Sequence, residues 1–519
     1  MLLVSTNAPH AGTTLMGGTT RLFHRFLSLL GPKVITTVIA VLSTPVIVRL
    51  LGPANYGDYA VLLSVYSLYM IPISAAVTEG VQKFLGETRD REAWVETVLQ
   101  FYFVVALLLA VVGSSVLFVA TGLGLAERFG TGFTRYFYVL TAFVFVGQFR
   151  AVSMHSLLGF GLEQINGPLS AIKKAVTVAA GIGLVVAGLG VVGMLIGHVI
   201  ANAVTALVAG TVLARRISVR KLLRAPTALP YREFLSFNGL NIVLVLLVMS
   251  LFHVDVIMVR ALVGGEATGY YKGALSLAEY IWVVPLVLQG LLLHSTSNLW
   301  SGGRHEDIEA LAGRITRYTV LLTILLALGL GAMADRVVTL YYGEPFAVAS
   351  TPLRLLLPGV LGFAVARPLQ AIAQGSGELR VLIAAVGSAA ALNVTLNATL
   401  IPRFGIHGAA AATSVSYGSM FVLFVWAARR LGFDPLIDLR PWRISLTGGL
   451  AAVVIIGTEH LIDVDPIAFV VVPVAGFAAF SLGAIGTGAV DVAEIRSVLD
   501  QLPIPRRLAS YLSGDNDHQ

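Results

Sequence analysis

An ionisable side chain inside a long apolar run is costly to keep there, so each one is first of all a candidate for function. Six carry the argument: Arg150, Arg367, Lys173, Lys174, Asp255 and Glu279. Arg150 and Arg367 fall at nearly the same depth of two apolar runs, 217 positions apart. Two guanidiniums facing one cavity could hold a phosphate or pyrophosphate through paired N–H donors, which lysine does less well. Lys173 and Lys174, early in another run, would add positive charge near the cytoplasmic mouth. For all four cations the competing reading is a long side chain that snorkels to the headgroups or pairs with a neighbouring helix. Asp255, with His253 beside it and Arg260 five residues on, is either a proton or Na⁺ coupling site or the partner of a basic residue. Glu279, in mid-run, is a second coupling candidate.

The elements that must position these residues follow from composition. The 519 residues have a mean hydropathy of +0.84, with 56% hydrophobic and 12% charged positions. That charged share is about half that of a soluble domain. Such a chain cannot cover a water-facing surface, which excludes a water-soluble enzyme. There is no cysteine, so disulfides, thiolate nucleophiles and cysteine-based metal sites are excluded as well. The net charge of +7 reads as basic residues collected in cytoplasmic loops and not as a nucleic-acid surface.

Runs of about 17 to 25 apolar residues predict bilayer-crossing helices. Fourteen can be counted, at 34–51, 59–82, 97–121, 136–158, 169–188, 191–214, 234–262, 271–297, 317–334, 353–374, 381–401, 406–427, 443–461 and 467–487. All are too long for barrel strands, and none alternates. Lysine and arginine concentrate in alternate loops, among them Lys83, Arg89 and Arg91, then Arg215, Arg216, Arg220, Lys221, Arg224 and Arg232, and later Arg429, Arg430, Arg440 and Arg443. By the positive-inside rule both termini are cytoplasmic. The expected layout is a tail at 1–33, a first lobe at 34–214, a basic cytoplasmic linker at 215–233, a second lobe at 234–427, two further helices within 428–487 and a tail at 488–519. The first twenty residues lack a basic start and a cleavage site and read as a frayed tail. No loop reaches thirty residues, which leaves no room for a soluble catalytic domain.

Internal similarity ties the two lobes together. Gly52, Gly57, Tyr59 and Ser64 recur as Gly264, Gly269, Tyr271 and Ser276, each pair 212 apart. Gly159 and Gly161 match Gly375 and Gly377 at 216, and Gly190 and Gly193 match Gly405 and Gly408 at 215. An offset of six spans, an even number, makes these parallel repeats, two six-helix bundles related by an axis along the membrane normal. The fold class is therefore an all-α integral membrane protein of about fourteen helices.

These residues resemble the polysaccharide-transport branch of the multidrug/oligosaccharidyl-lipid/polysaccharide exporter superfamily, the O-antigen-type flippases. The likeness rests on the L-L-G-P-x-x-Y-G-x-Y turn at 50–59, on D-x-I-x-x-x-x-L-V-G-G from Asp255, and on G-x-x-G-A-A-x-A from Gly405. It covers roughly residues 30 to 490. It implies a fourteen-helix flippase of the cytoplasmic membrane that carries an isoprenoid-linked oligosaccharide by alternating access without hydrolysing ATP. The implied partners are that substrate, membrane lipids and Na⁺ or H⁺ as coupling ion, in a protein that works as a monomer, with no cofactor and no nucleic acid.

Other patterns carry no chemistry. Gly188-Leu189-Gly190-Val191-Val192-Gly193 spells a dinucleotide fingerprint but follows no strand. Asp463 and Asp465 sit in a short loop, and His305-Glu306 lacks the second histidine of a zinc-protease helix. Asn393 and Asn397 open formal glycosylation sequons but lie within a span. The alternative function is a cation-coupled drug or metabolite antiporter of the same superfamily; cationic substrates fit poorly beside Arg150 and Arg367. A glycosyltransferase would need an external catalytic loop.

Overall fold

The computed structural model describes residues 14–87, 94–130, 132–216, 239–494 and 496. The basic linker beyond Arg216, Arg89 and Arg91, the first thirteen residues and the tail beyond 496 lie outside the described residues. Among those described, regular structure is helical, as it must be where no water is present to satisfy backbone N–H and C=O groups.

The helices are α1 (Thr14–Gly86), α2 (Trp94–Gly122), α3 (Phe133–Gly159), α4 (Glu163–Leu184), α5 (Gly190–Ala214), α6 (Gly239–Leu262) and α7 (Gly265–Glu279). They continue with α8 (Val283–Ser301), α9 (His305–Ala332), α10 (Ala334–Tyr342), α11 (Ser350–Gly375), α12 (Leu379–Arg430), α13 (Pro441–Leu461) and α14 (Asp465–Gly486). Among the described residues, eleven segments are long and apolar enough to cross a bilayer, so the chain is a multi-pass membrane protein.

Three of the eleven are broken by glycines in conformations that side chains resist. The breaks are Gly52 within α1 (φ 70°), Gly188 and Gly190 between α4 and α5 (φ 91° and 50°), and Gly405 within α12 (φ 56°). At the second break the chain doubles back. A Cβ built on Gly197 would come within 2.6 Å of the Gly181 nitrogen, although sixteen residues of straight helix would separate them by about 24 Å. Across Gly405, Asn393 Nδ2 donates to Ser416 Oγ at 2.9 Å, which again requires a hairpin.

The described residues form two compact units. One takes them from Met1–Leu277, Val338–Leu356 and Glu378–Ser416; the other from Ala278–Val337, Leu357–Gly377 and Tyr417–Gln519. In the first unit α3 packs on α1, α2 and α5, and α4 packs on α5 and α1. The helix α2 shows how lipid replaces water: Leu99, Tyr102, Ala106, Ala110, Gly113 and Leu117 form its buried stripe, while Val104, Leu107, Leu108, Val111 and Val112 stand exposed. Small residues on the buried side let the backbones approach. In the second unit α13 packs on α14 and both pack on α9. There Arg317 of α9 is fully buried and meets Glu494 Oε1 at 2.5 Å and Asp438 Oδ2 at 3.2 Å.

Candidate functional site

The first unit gathers three of the expected cations. Arg150, near the middle of α3, is half-buried, and its Nε is enclosed without a hydrogen-bond partner. Its charge is felt by Tyr66 of α1, by His155 one turn along α3 and by Lys173 of α4. Lys174 acts on Lys173, and both lysines act on His198 of α5. Side chains from four helices therefore converge, because α3, α4 and α5 pack together against α1. Among the described residues Arg150, Lys173 and Lys174 make no ion pair with a carboxylate.

Aromatic rings line the same cluster. Tyr66 stacks on Phe143 with centroids 3.7 Å apart and planes 4° from parallel, and Phe143 lies 5.1 Å from the His198 ring. Tyr59 Oη is 2.8 Å from His198 Nε2. The Tyr66 hydroxyl fits only because residue 147 is glycine; a methyl group there would collide with it. Gln148 is fully buried and donates to the Ile73 carbonyl at 3.1 Å, while its Oε1 accepts nothing among the described residues. His155 Nδ1 pairs with Gln82 Oε1 at 3.1 Å.

Asp255 lies in the first unit but in a separate pocket. It is fully buried on α6, and its carboxylate accepts from the Val256 N–H at 2.7 Å, from Tyr271 Oη at 2.5 Å and from Thr413 Oγ1 at 3.0 Å. Arg260 is not its partner: five residues along a helix point to a different face, and Arg260 Nε instead meets Asp58 Oδ1 at 3.0 Å. Asn393 reaches the same place from α12, with Nδ2 3.4 Å from Thr413 Oγ1 and 2.9 Å from Ser416 Oγ. One turn on, Asn397 Nδ2 donates to the Asn393 carbonyl at 2.9 Å. The Oδ1 atoms of Asn393 and Asn397 are buried and accept no hydrogen bond among the described residues. A carboxylate, a threonine hydroxyl and the Asn393 amide meet in this pocket, where the charge of Lys272 also acts on the carboxylate; oxygen donors of this kind suit a proton or a small hard cation.

Arg367 and Glu279 belong to the second unit, where the structure brings them together. The Arg367 guanidinium lies 4.5 Å from the centroid of Trp282 and 4.7 Å from that of Phe363, donates to Gln289 Oε1 at 3.3 Å and feels the charge of Glu279. Sequence reasoning missed Tyr271 and Thr413 as partners of Asp255, and Asn393, which joins them through Thr413. A signal existed for the asparagines, since amides at i and i+4 in an apolar run share one helix face. No comparable signal marked Tyr66 and Phe143.

One hydrogen-bonded pairing recurs at the sequence offset of the repeat. Tyr59 pairs with His198 and Tyr271 with Thr413, and these residues correspond at offsets of 212 and 215. Residues 23–288, just over half of the chain, match the family described as polysaccharide biosynthesis protein. The chain belongs to that family. It is 26% identical over 174 residues to the probable low-salt glycan biosynthesis flippase Agl15 of Haloferax volcanii, covering 33% of this chain and 36% of that one. The chain spans about half or less of the length of the curated relatives it matches. Among solved structures, the lipid II flippase MurJ in an inward closed conformation shares the fold with a TM-score of 0.67 at 14% identity, over 88% of this chain and 97% of that one. An inward-facing multidrug resistance MATE family transporter of the MOP superfamily follows, with a TM-score of 0.66 at 16% identity over 78% and 98%. This member of the polysaccharide biosynthesis family thus has the fold of the exporter superfamily that its motifs resemble.

Proposed function

We propose that the chain is a flippase that moves a polyprenyl-(pyro)phosphate-linked oligosaccharide across the cytoplasmic membrane by alternating access, for polysaccharide or glycan biosynthesis. The observation that carries this reading is the convergence of Arg150, Lys173 and Lys174 in the interior without a carboxylate partner among the described residues. Half-buried like charges repel and are costly to desolvate, and a polyanionic group that enters among them relieves both terms. A diphosphate supplies several acceptor oxygens for one guanidinium and two ammonium groups. The rings of Tyr66 and Phe143 beside them offer flat apolar faces to sugar rings. A glycan head cannot cross about 30 Å of hydrocarbon unaided, so a polar interior of this kind is what transport requires.

Counting each of the three broken segments as two passes turns the eleven into fourteen, and an even number places both termini on one side. The distribution of lysine and arginine makes that side cytoplasmic. The protein acts as a monomer, with Arg367 as a further substrate contact, and the Asp255 pocket takes a coupling Na⁺ or H⁺, with Glu279 as a second coupling residue. The alternative, a cation-coupled multidrug or metabolite antiporter, draws on that same Asp255 pocket. It needs an interior that accepts cations, which Arg150 and the two lysines oppose.

The test is transport in proteoliposomes, read as exposure of a lipid-linked glycan to an impermeant glycosidase. Arg150→Ala and the Lys173→Ala, Lys174→Ala pair should each lower the rate at least tenfold. Full activity in an Arg150→Ala, Arg367→Ala double variant would remove the anionic-headgroup reading. Ion-driven ethidium efflux from the same vesicles would establish the antiporter instead.

A further inference from the structure

The tyrosine beside Arg150 begins a column of rings that runs to the turn after Gly52, which the proposed topology places outside the cytoplasm. Tyr56, Tyr59 and Tyr66 share one face of α1, at i, i+3 and i+10. Tyr59 and Tyr66 stand about 10 Å apart along the helix, and two rings from other helices close that gap. Phe143 of α3 stacks on Tyr66, and the His198 ring of α5 lies 5.1 Å from Phe143 with its Nε2 2.8 Å from Tyr59 Oη. Tyr59 lies 6.5 Å from Tyr56, and Tyr56 meets Phe346 edge-on at 6.3 Å. Phe346 is buried and meets a ring from each repeat turn, since Tyr270 of α7 lies 5.5 Å away, with Tyr342 of α10 at 5.3 Å. From Phe143 onward each step falls within the range of an aromatic pair, and every ring belongs to the first unit.

Rings at helical spacing are ordinarily core packing, but the repeat separates this column from what the fold requires. The fold is built twice and the column once. At the offsets of the repeat Tyr66 corresponds to Ala278, Tyr56 to Thr268, Phe143 to Gly359 and His198 to Thr413; only Tyr59 keeps its ring, as Tyr271. The column also has no slack at its ends. A Cβ on Gly147 of α3 would lie 2.2 Å from the Tyr66 hydroxyl, and one on Gly273 of α7 would lie 3.3 Å from the Phe346 ring. A displacement of α3 is therefore passed to Tyr66, and one of Phe346 to α7. The Tyr59–His198 hydrogen bond is the joint between the two ends.

We propose that Tyr59 and His198 are positioning residues that couple the Arg150 cluster to the seal around Phe346. This rests on the headgroup reading given above. Arg150, Gly147 and Phe143 lie along one face of α3, so an anion that draws Arg150 toward Lys173 shifts the stack of Phe143 on Tyr66. Through His198 and Tyr59 that shift reaches Tyr56 and frees Phe346 from between the two repeat turns. Occupancy of the cationic site thereby selects the form that is open at the far end.

The full-length chain in detergent tests this, with Thr268→Cys as its only thiol, fully buried next to Gly269, and farnesyl diphosphate as the probe. The probe should raise the maleimide labelling rate of that thiol about fivefold or more. Tyr59→Phe keeps the ring and removes the hydrogen bond; it should bind the probe within about twofold of the parent affinity and abolish the rise. A full rise in Tyr59→Phe, or no rise in a parent chain that binds the probe, overturns the proposal. Arg150→Ala should abolish binding itself, so failure of the headgroup reading shows as unchanged affinity in a different variant. A second measurement needs no ligand. Tyr66→Leu and Phe346→Leu alter opposite ends of the column, and sites so separated act additively, within about twofold, when nothing connects them. Their effects on the basal labelling rate should instead depart from additivity about fivefold or more, and become additive once Tyr59→Phe is present. Additivity with Tyr59 intact overturns the proposal whatever the probe does.

Discussion

Gly57 and Gly269 occupy equivalent places in the two repeats, and each packs against the turn that carries the other. A Cβ on Gly57 would collide with the Gly265 carbonyl, and one on Gly269 with the Pro53 carbonyl. Pro53 and Gly265 are themselves 212 positions apart, so the contact is reciprocal, as between two copies related by a twofold axis. Either Gly57→Ala or Gly269→Ala should therefore destabilise the protein by a similar amount, about 1–3 kcal/mol as an overpacking cost. The double variant should cost less than the sum, because the first methyl already parts the two turns. Thermal melting in detergent checks this. Gly183→Ala, which meets open space within α4, is the control and should melt no lower than wild type.

Beside that contact Asp58 meets Arg260 at 3.0 Å with about four-fifths of each side chain buried, and the Arg260 guanidinium lies 5.0 Å from the Phe133 centroid. In the alternating-access reading this pair holds one end of the pathway shut. Removing one partner strands the other, at a cost of about 3–5 kcal/mol, and the open population should grow. The absence of cysteine makes the measurement clean, since Ser64→Cys supplies the only thiol, in a buried position six residues along α1 from Asp58. Adding Asp58→Asn should raise the maleimide labelling rate of that thiol at least tenfold. An unchanged rate would make the pair structural only.

The membrane-spanning helices were legible in the sequence because lipid imposes a simple rule, that a run either spans or it does not, and the glycines that break three of the long apolar segments stand out within them. Arg150 could be joined to Lys173 and Lys174 by depth alone. Asp255 could not be joined to its real partners. Tyr271 and Thr413 stand 16 and 158 positions away, and what unites them with Asp255 is the packing of α7 and α12 on α6, which no local pattern encodes. The five-residue spacing to Arg260 suggested a pair that helix geometry does not make. Asn393 and Asn397 were read for glycosylation and dismissed, although two amides on one apolar face call for a partner of their own.

If the Asp255 pocket takes a cation, the ion should stabilise the folded protein by linkage, about 2.7 kcal/mol at a hundred times its dissociation constant. Melting temperature should then rise with Na⁺ at fixed ionic strength and pH, or with proton concentration if H⁺ is the ligand. Asp255→Asn should abolish the rise, and Asn393→Ala and Thr413→Ala should shift it to higher concentration, with Arg150→Ala leaving it intact. A wild-type melting curve indifferent to Na⁺, K⁺ and pH would leave the carboxylate as a packing residue held by Tyr271 and Thr413.

The charge cluster at the start of α13 predicts an acid limit to stability. Arg440 Nη2 meets Asp491 Oδ2 at 2.8 Å, and this hydrogen bond holds the Asp491 carboxyl below its usual range. Burial pushes the Glu494 carboxyl up, but hydrogen bonds from Arg317 and Tyr318 outweigh it and leave that carboxyl lowered too. A carboxyl depressed on folding adds stability that is fully present above its unfolded value, near 4, and is lost as pH falls through the lower folded value. Melting temperature should thus be flat through neutral pH and fall below about pH 4. Asp491→Asn should melt lower than wild type at pH 7 and lose less on acidification, so that the two curves converge. Arg317→Met removes the buried cation that meets Glu494 and Asp438, which keep Arg440 as a second one; it should lower the melting temperature at pH 7 and flatten the fall on acidification, because the Glu494 carboxyl is then held down less strongly.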